Sequence, residues 1–132
     1  MKMLSKLASL SVCVLGLLLS SCDAEHTNDY YVVNAYEEII YINYQTYRSD
    51  IKSLKIEIND TVLIHSESYV FGTVGVDYHK DKIDITNMTV LNNNESIPIE
   101  QNKWRYEKRS KYHADYYLII DATLIDVKNA SR

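Results

Sequence analysis

Glycine, proline and cysteine are scarce in this 132-residue chain, which holds three glycines, one proline and two cysteines. Beyond residue 21 only Gly72, Gly75, Pro98 and Cys22 are left. A glycine-rich phosphate loop or dinucleotide turn has no material to be built from. A disulfide framework is excluded as well, because Cys22 has no second cysteine beyond residue 21 to pair with. The HExxH and GxSxG signatures are absent, so neither a zinc hydrolase helix nor a nucleophile elbow is written into the chain. No enzyme is expected, and an envelope hydrolase is the least supported reading. No cofactor is expected either. The longest uncharged apolar run, Leu7 to Leu19, falls short of the roughly 20 residues that cross a bilayer core.

Positive charge is also in short supply. Lys plus Arg number 14 against 18 Asp plus Glu. Two of the lysines, Lys2 and Lys6, precede the apolar run, so the chain from Cys22 onward carries 12 basic and 18 acidic residues, a net charge of −6. Nucleic acid is excluded as a partner, since it rewards clustered positive charge.

The first 21 residues have the order of a secretory signal: a charged start, a short apolar stretch, then the small residues Ser20 and Ser21. Leu19-Ser20-Ser21-Cys22 resembles the lipobox of bacterial lipoproteins. The resemblance implies cleavage before Cys22 and acylation of its thiol, which also accounts for an odd cysteine in an exported chain. It further implies attachment to a membrane without crossing it, since acyl chains contribute about 0.8 kcal/mol per buried CH₂. The expected organisation is a signal over residues 1–21, a polar tether over 22–29 and a single β domain over 30–132. The 111 residues from Cys22 suffice for one domain.

What is abundant favours strands. Tyrosine occurs 12 times, and Ile, Val and Thr are frequent. Tyr31-Val32-Val33 predicts a first strand. In Glu38 to Tyr47, Ile40, Ile42 and Tyr44 alternate with Tyr41, Asn43 and Gln45, the period of a half-buried strand. Leu54 to Ile58 and Thr61 to Ile64, with Asn59-Asp60 between them, predict a hairpin. Ser66 to Val70 continues the second of these strands. Residues 72–82 read as a loop, Lys82 to Thr86 and Met88 to Leu91 as strands, Asn92-Asn93-Asn94 as a turn, and Ser96 to Ile99 as an edge strand that tolerates Pro98. Tyr116 to Asp121 predicts a buried strand, and Ala122 to Asn129 either a strand or a short helix. Together these predict an all-β fold, an antiparallel sandwich or barrel of about seven strands.

Three stretches invite chemistry. Asp77-Tyr78-His79-Lys80-Asp81, with Asp84 nearby, gathers metal-type ligands, but Lys80 and Lys82 interrupt it and the spacing fits no calcium loop. It reads as a solvated loop, and no metal site is assigned. Lys103 to Lys111 (KWRYEKRSK) is the one basic run. Trp104, Arg105, Tyr106 and Arg109 there are of the types that dominate interfaces, although a solvated connection with Trp104 anchored in the core accounts for the run more simply. Tyr41 and Tyr47 flank Asn43 and Gln45 on a strand face of the kind that stacks on sugars, while tyrosines half-buried at a rim give the same pattern.

Val33-Asn34 leading into Ile40-Tyr41-Ile42-Asn43-Tyr44, then Gly72, Asp81-Lys82-Ile83-Asp84-Ile85, Trp104 and Tyr117-Leu118-Ile119-Ile120 resemble small envelope lipoproteins of the Bacteroidota. That resemblance implies a small β-sandwich and carries over no catalytic residue. Acidic residues after the cysteine, here Asp23 and Glu25, resemble the surface-export signal of that group, whereas Asp23 alone resembles the inner-membrane retention signal of enteric bacteria. The outer membrane is the favoured destination. The expectation is a non-enzymatic lipoprotein that binds another envelope protein, an immunity protein against an incoming toxin being one version. A module for glycans or small ligands is the alternative.

Overall fold

The computed structural model describes residues 25–70 and 82–126. Among the described residues, eight strands form two four-stranded sheets: β1 (Glu25–Asn34), β2 (Ile40–Thr46), β3 (Lys52–Ile56), β4 (Thr61–Val70), β5 (Ile85–Asn92), β6 (Glu95–Pro98), β7 (Arg105–Ser110) and β8 (His113–Ile120). A 3-10 turn (Gln101–Lys103) precedes β7, and a short helix α1 (Ala122–Asp126) follows β8. The first sheet has the order β4-β1-β8-β7 and the second β3-β2-β5-β6. The sheets do not close into a barrel. No described helix is long and apolar enough to cross a membrane.

The inner faces of the two sheets supply one core. Ile40, Ile42 and Tyr44 point inward from β2, as their alternation predicts, and meet Tyr30 and Val32 of β1 and Tyr116, Leu118 and Ile120 of β8. Tyr30 stacks on Tyr116 with ring centres 4.7 Å apart, and Trp104 and Tyr30 form a T-shaped pair with centres 5.6 Å apart. At the β5–β6 turn, Asn93 and Asn94 both take positive φ, 48° and 67°. Two such residues match the twist of the flanking strands, and asparagine is among the residues that tolerate the conformation.

Four expectations are corrected. The stretch 25–29 is not a tether but the first half of β1. Hydrogen bonding to β4 on one side and β8 on the other holds it in the sheet, which is why His26 and Asn28 are buried despite their polarity. Leu54–Ile58 and Thr61–Ile64 do not form a hairpin. β3 pairs with β2 and β4 pairs with β1, so the Asn59-Asp60 turn carries the chain from one sheet to the other. Asn34 fixes that corner. Its backbone N–H donates to the Asp60 carbonyl at 2.9 Å and its carbonyl accepts the Asn59 N–H at 3.0 Å. Its side-chain amide donates to the carbonyls of Glu38, Ile56 and Glu57.

Thirdly, the sandwich is not wholly antiparallel, because β1 and β8 run parallel in the middle of the first sheet. Finally, residues 103–111 are not a connection. They contain β7, an edge strand, whose exposed charges suit an open edge by discouraging further strands from pairing there. Residues 71–81, including His79, lie outside the described residues.

Candidate functional site

The outward face of the first sheet is laid out in rows by strand register. One row runs Leu63 (β4), Tyr31 (β1), Tyr117 (β8), Arg105 (β7). Tyr31 and Tyr117 stack with centres 5.2 Å apart and planes 16° from parallel. The Arg105 guanidinium lies 5.8 Å from the centre of the Tyr117 ring, within cation–π reach. Leu63 is half exposed at the other end. The row is thus an aromatic strip with an aliphatic end and a cationic end.

Beside it runs the row Ser66, Asp29, Asp115, Glu107. Asp115 is only 1% exposed although it lies on the outer face. The register shift between Lys108 and Ser110 leaves Arg109 as an extra residue in β7, and its guanidinium bonds the Asp115 carboxylate and the Tyr117 hydroxyl at 3.1 Å. Those two bonds, first the one to Asp115, hold the guanidinium above its ordinary pKa. Burial, then the charges of Asp115 and Asp29, hold the Tyr31 phenol above its ordinary value as well.

His113 completes this cluster. Its Nε2 lies 2.9 Å from Asp29 Oδ2 and 3.3 Å from Asp115 Oδ1. The other oxygen of Asp29 accepts the Ser66 hydroxyl at 2.5 Å. In this chain of contacts the carboxylate stands between serine and imidazole. In a Ser-His-Asp triad the imidazole itself contacts the serine, so this order of contacts does not form one. Ser49 and Lys52 also stand in Ser-x-x-Lys spacing, but the Ser49 hydroxyl is hydrogen-bonded to that of Thr46 at 2.7 Å and Lys52 opens β3.

The aromatic row leads into a cleft of about 560 Å³, within the size range of ligand pockets. The cleft lies where β6, the edge of one sheet, approaches β7 and β8 of the other, with the 3-10 turn and α1 alongside. Ile97, Pro98, Ile99, Ile119 and Leu124 give it an aliphatic lining, and Glu100, Lys103, Arg105 and Asp121 bring charges of both signs. Tyr117 and Arg105 belong to both the row and the cleft. Asp121 also orders α1, accepting the Leu124 N–H at 3.1 Å and the Thr123 hydroxyl at 2.6 Å. These bonds, chiefly that from Thr123, hold its carboxyl below the usual range.

A second polar cluster involves His65, Glu67 and Asp84. Both oxygens of Asp84 accept tyrosine hydroxyls, from Tyr30 and Tyr69, and His65 Nε2 lies 3.2 Å from Glu67.

The residues singled out from sequence do not gather at one site, and the core position of Trp104 agrees with the simpler of the two accounts of the basic run. Trp104 is core, and Tyr106 is half-buried with its ring 5.4 Å from Tyr116. Arg105 and Arg109 reach the outer face of the first sheet. Tyr41 and Tyr47 do not form a shared platform. Tyr41 is 50% exposed on β2, and Tyr47 is 80% exposed beyond its end. The amides between them are engaged in cross-strand bonds, Asn43 with Ser53 and Gln45 with Asn87. Cys22 lies outside the described residues. The sequence reading missed Tyr31, Tyr117, Asp29, His113 and Asp115. The one local signal was the alternation His113-x-Asp115-x-Tyr117, which puts all three on one strand face.

No family model matches the chain, and neither a curated protein nor a solved structure is detectably similar to it.

Proposed function

We propose that this protein is an envelope lipoprotein, acylated at Cys22, whose β-sandwich is a non-enzymatic module that binds another protein. The observation that carries the binding site is the continuity of the Leu63–Tyr31–Tyr117–Arg105 row with the cleft through Tyr117 and Arg105. Stacked tyrosines and an arginine are the residue types on which interfaces concentrate binding energy. A flat strip beside an aliphatic cleft suits a protein surface with one inserted side chain or short segment. Binding to an incoming toxin, as an immunity protein does, is one role that such a surface would serve.

The attachment is tested by fractionation. The wild-type chain is expected in membranes, and Cys22→Ala in the soluble fraction; retention of the variant in membranes would refute lipid anchoring there. The binding surface is tested with a photo-crosslinking amino acid placed in living cells at Leu63, at Ile119 or, as a control on the opposite sheet, at Tyr41. Discrete protein adducts are expected from Leu63 and Ile119 and not from Tyr41, and they should vanish when Arg105→Glu is added. Adducts from Tyr41 alone would move the site to the other sheet.

A glycan or small ligand is the second reading, favoured by the volume of the cleft. It predicts that Leu124→Trp, which fills the cleft, abolishes binding while the Leu63 position stays free of adducts.

A further inference from the structure

We propose that Asp29, His113 and Asp115 form a divalent-cation site, with zinc the best-matched ion. Asp29 and Asp115 are direct register partners on the parallel strands β1 and β8. Like charges facing each other across strands repel, and one of these carboxylates is buried. Arg109 neutralises one charge through Asp115 Oδ2. Asp115 Oδ1 is buried and makes no hydrogen bond, facing His113 Nε2 at 3.3 Å, and an unmade hydrogen bond to a buried charged group is costly. His113 Nε2 also stands 2.9 Å from Asp29 Oδ2, and one ligand atom from each of the three residues lies within 4.8 Å of the others.

The spacing fits a metal. Bonds of about 2.0–2.1 Å to a tetrahedral zinc place neighbouring ligand atoms about 3.3 Å apart. The separations from His113 Nε2 are 2.9 and 3.3 Å, so a small adjustment of the side chains seats the ion. Three protein ligands of the nitrogen-plus-carboxylate kind leave the fourth position to water. The ligands are already held from behind: Ser66 bonds the far oxygen of Asp29, and Arg109 and Tyr117 bond the far oxygen of Asp115. Such outer contacts orient metal-ligating groups. The His113 side chain is 41% exposed, which gives an ion a way in.

The other cluster, His65, Glu67 and Asp84, is less suited. Its Asp84 oxygens both accept tyrosine hydroxyls, and it serves as an internal control.

The test is a zinc chloride titration of the full chain in detergent after removal of metal with a chelator. Calorimetry gives the stoichiometry and X-ray absorption the ligands. One zinc per chain is expected, in a shell of nitrogen and oxygen, with a raised thermal midpoint. His113→Gln and Asp29→Asn should each weaken binding by more than the roughly 10–100-fold that loss of an outer contact costs and abolish the thermal shift. His65→Gln should leave both unchanged. Far-UV circular dichroism of each variant establishes that it is folded. The proposal is overturned if the wild-type chain takes up no zinc, leaving His113 simply ion-paired to the two carboxylates. It is equally overturned if the His113 and Asp29 variants bind as the wild type does, if His65→Gln removes the site, or if sulfur appears in the shell.

Discussion

The phenol of Tyr30 holds Asp84 by two atoms, donating to Oδ2 at 3.1 Å and accepting the backbone N–H at 3.1 Å. These contacts span 54 residues and join the middle of β1 to the residue that precedes β5. They also account for the late start of β5. The alternation from Lys82 reads as strand, yet Asp84 is engaged with Tyr30, and pairing with β2 begins only at Ile85. Tyr30→Phe is expected to lower unfolding free energy by about 1 kcal/mol, the low end of the penalty for leaving polar partners unsatisfied, because Asp84 is only partly buried. Urea denaturation measures it, and a variant as stable as the wild type would show the contacts to be dispensable.

Alkaline pH should probe the same place. Burial is the main cause that holds Tyr30 and Tyr69 above the ordinary tyrosine pKa, with the Asp84 carboxylate adding to it. The unfolded chain releases these protons near pH 10 and the folded chain keeps them, so above that pH the unfolded state binds fewer protons. Stability is therefore fully present below about pH 10 and is lost as pH rises toward the raised folded values. The urea midpoint should fall more steeply above pH 10 in the wild type than in Tyr69→Phe. Parallel curves would refute the assignment.

Asn34 should be among the most sensitive positions in the core. Its fully buried side chain satisfies the carbonyls of Glu38, Ile56 and Glu57 and accepts the Tyr36 N–H at 3.0 Å. Asn34→Ala strands several backbone groups at once and is expected to cost about 3 kcal/mol. Asn34→Asp should fare no better, since a carboxylate cannot donate to those carbonyls. Thermal unfolding with both variants checks the ranking.

Arg109 and Arg105 occupy the same edge strand but should differ sharply. Removing Arg109 leaves the buried Asp115 carboxylate without its cation, a situation far costlier than the loss of a surface pair. Arg105 rests on the Tyr117 ring at an exposed site. Arg109→Met should lower the melting temperature clearly, and Arg105→Met should barely move it while weakening partner binding. Equal shifts in the two variants would contradict the role given to Asp115.

Much of the fold is legible residue by residue, and the failures have physical causes. The inward set of β2 follows from a two-residue period, and the Asn93-Asn94 turn follows from the backbone angles that asparagine tolerates. Asn59-Asp60 has equally good turn chemistry, yet turn residues do not reveal whether the next strand returns to the same sheet or joins the other. That choice is made by Asn34, through bonds to residues more than 20 positions away. The buried half of β1 carries His26 and Asn28, so hydropathy alone hides it. The polar cluster was illegible for a related reason. Asp29 and His113 stand 84 positions apart, and only the parallel pairing of β1 with β8 makes them neighbours. By contrast, the basic run was conspicuous in sequence, but its tryptophan went to the core and its arginines to two different tasks.

The parallel run of β1 and β8 also orients the molecule. Both strands start at one end of the sandwich, near Glu25 and His113, and finish at the other, near Asn34 and Ile120. Only Asp23 and Ala24 separate Cys22 from the first residue of β1, a leash of about 10 Å at full stretch. A lipid on Cys22 would hold the Glu25 end close against the headgroups. The strand length, about 30 Å at a rise of 3.3 Å per residue, would then carry Ile119, Asp121 and the helix to the opposite pole. On such an anchor the cleft looks away from the bilayer toward whatever approaches, while the His113 cluster sits nearer the lipid surface.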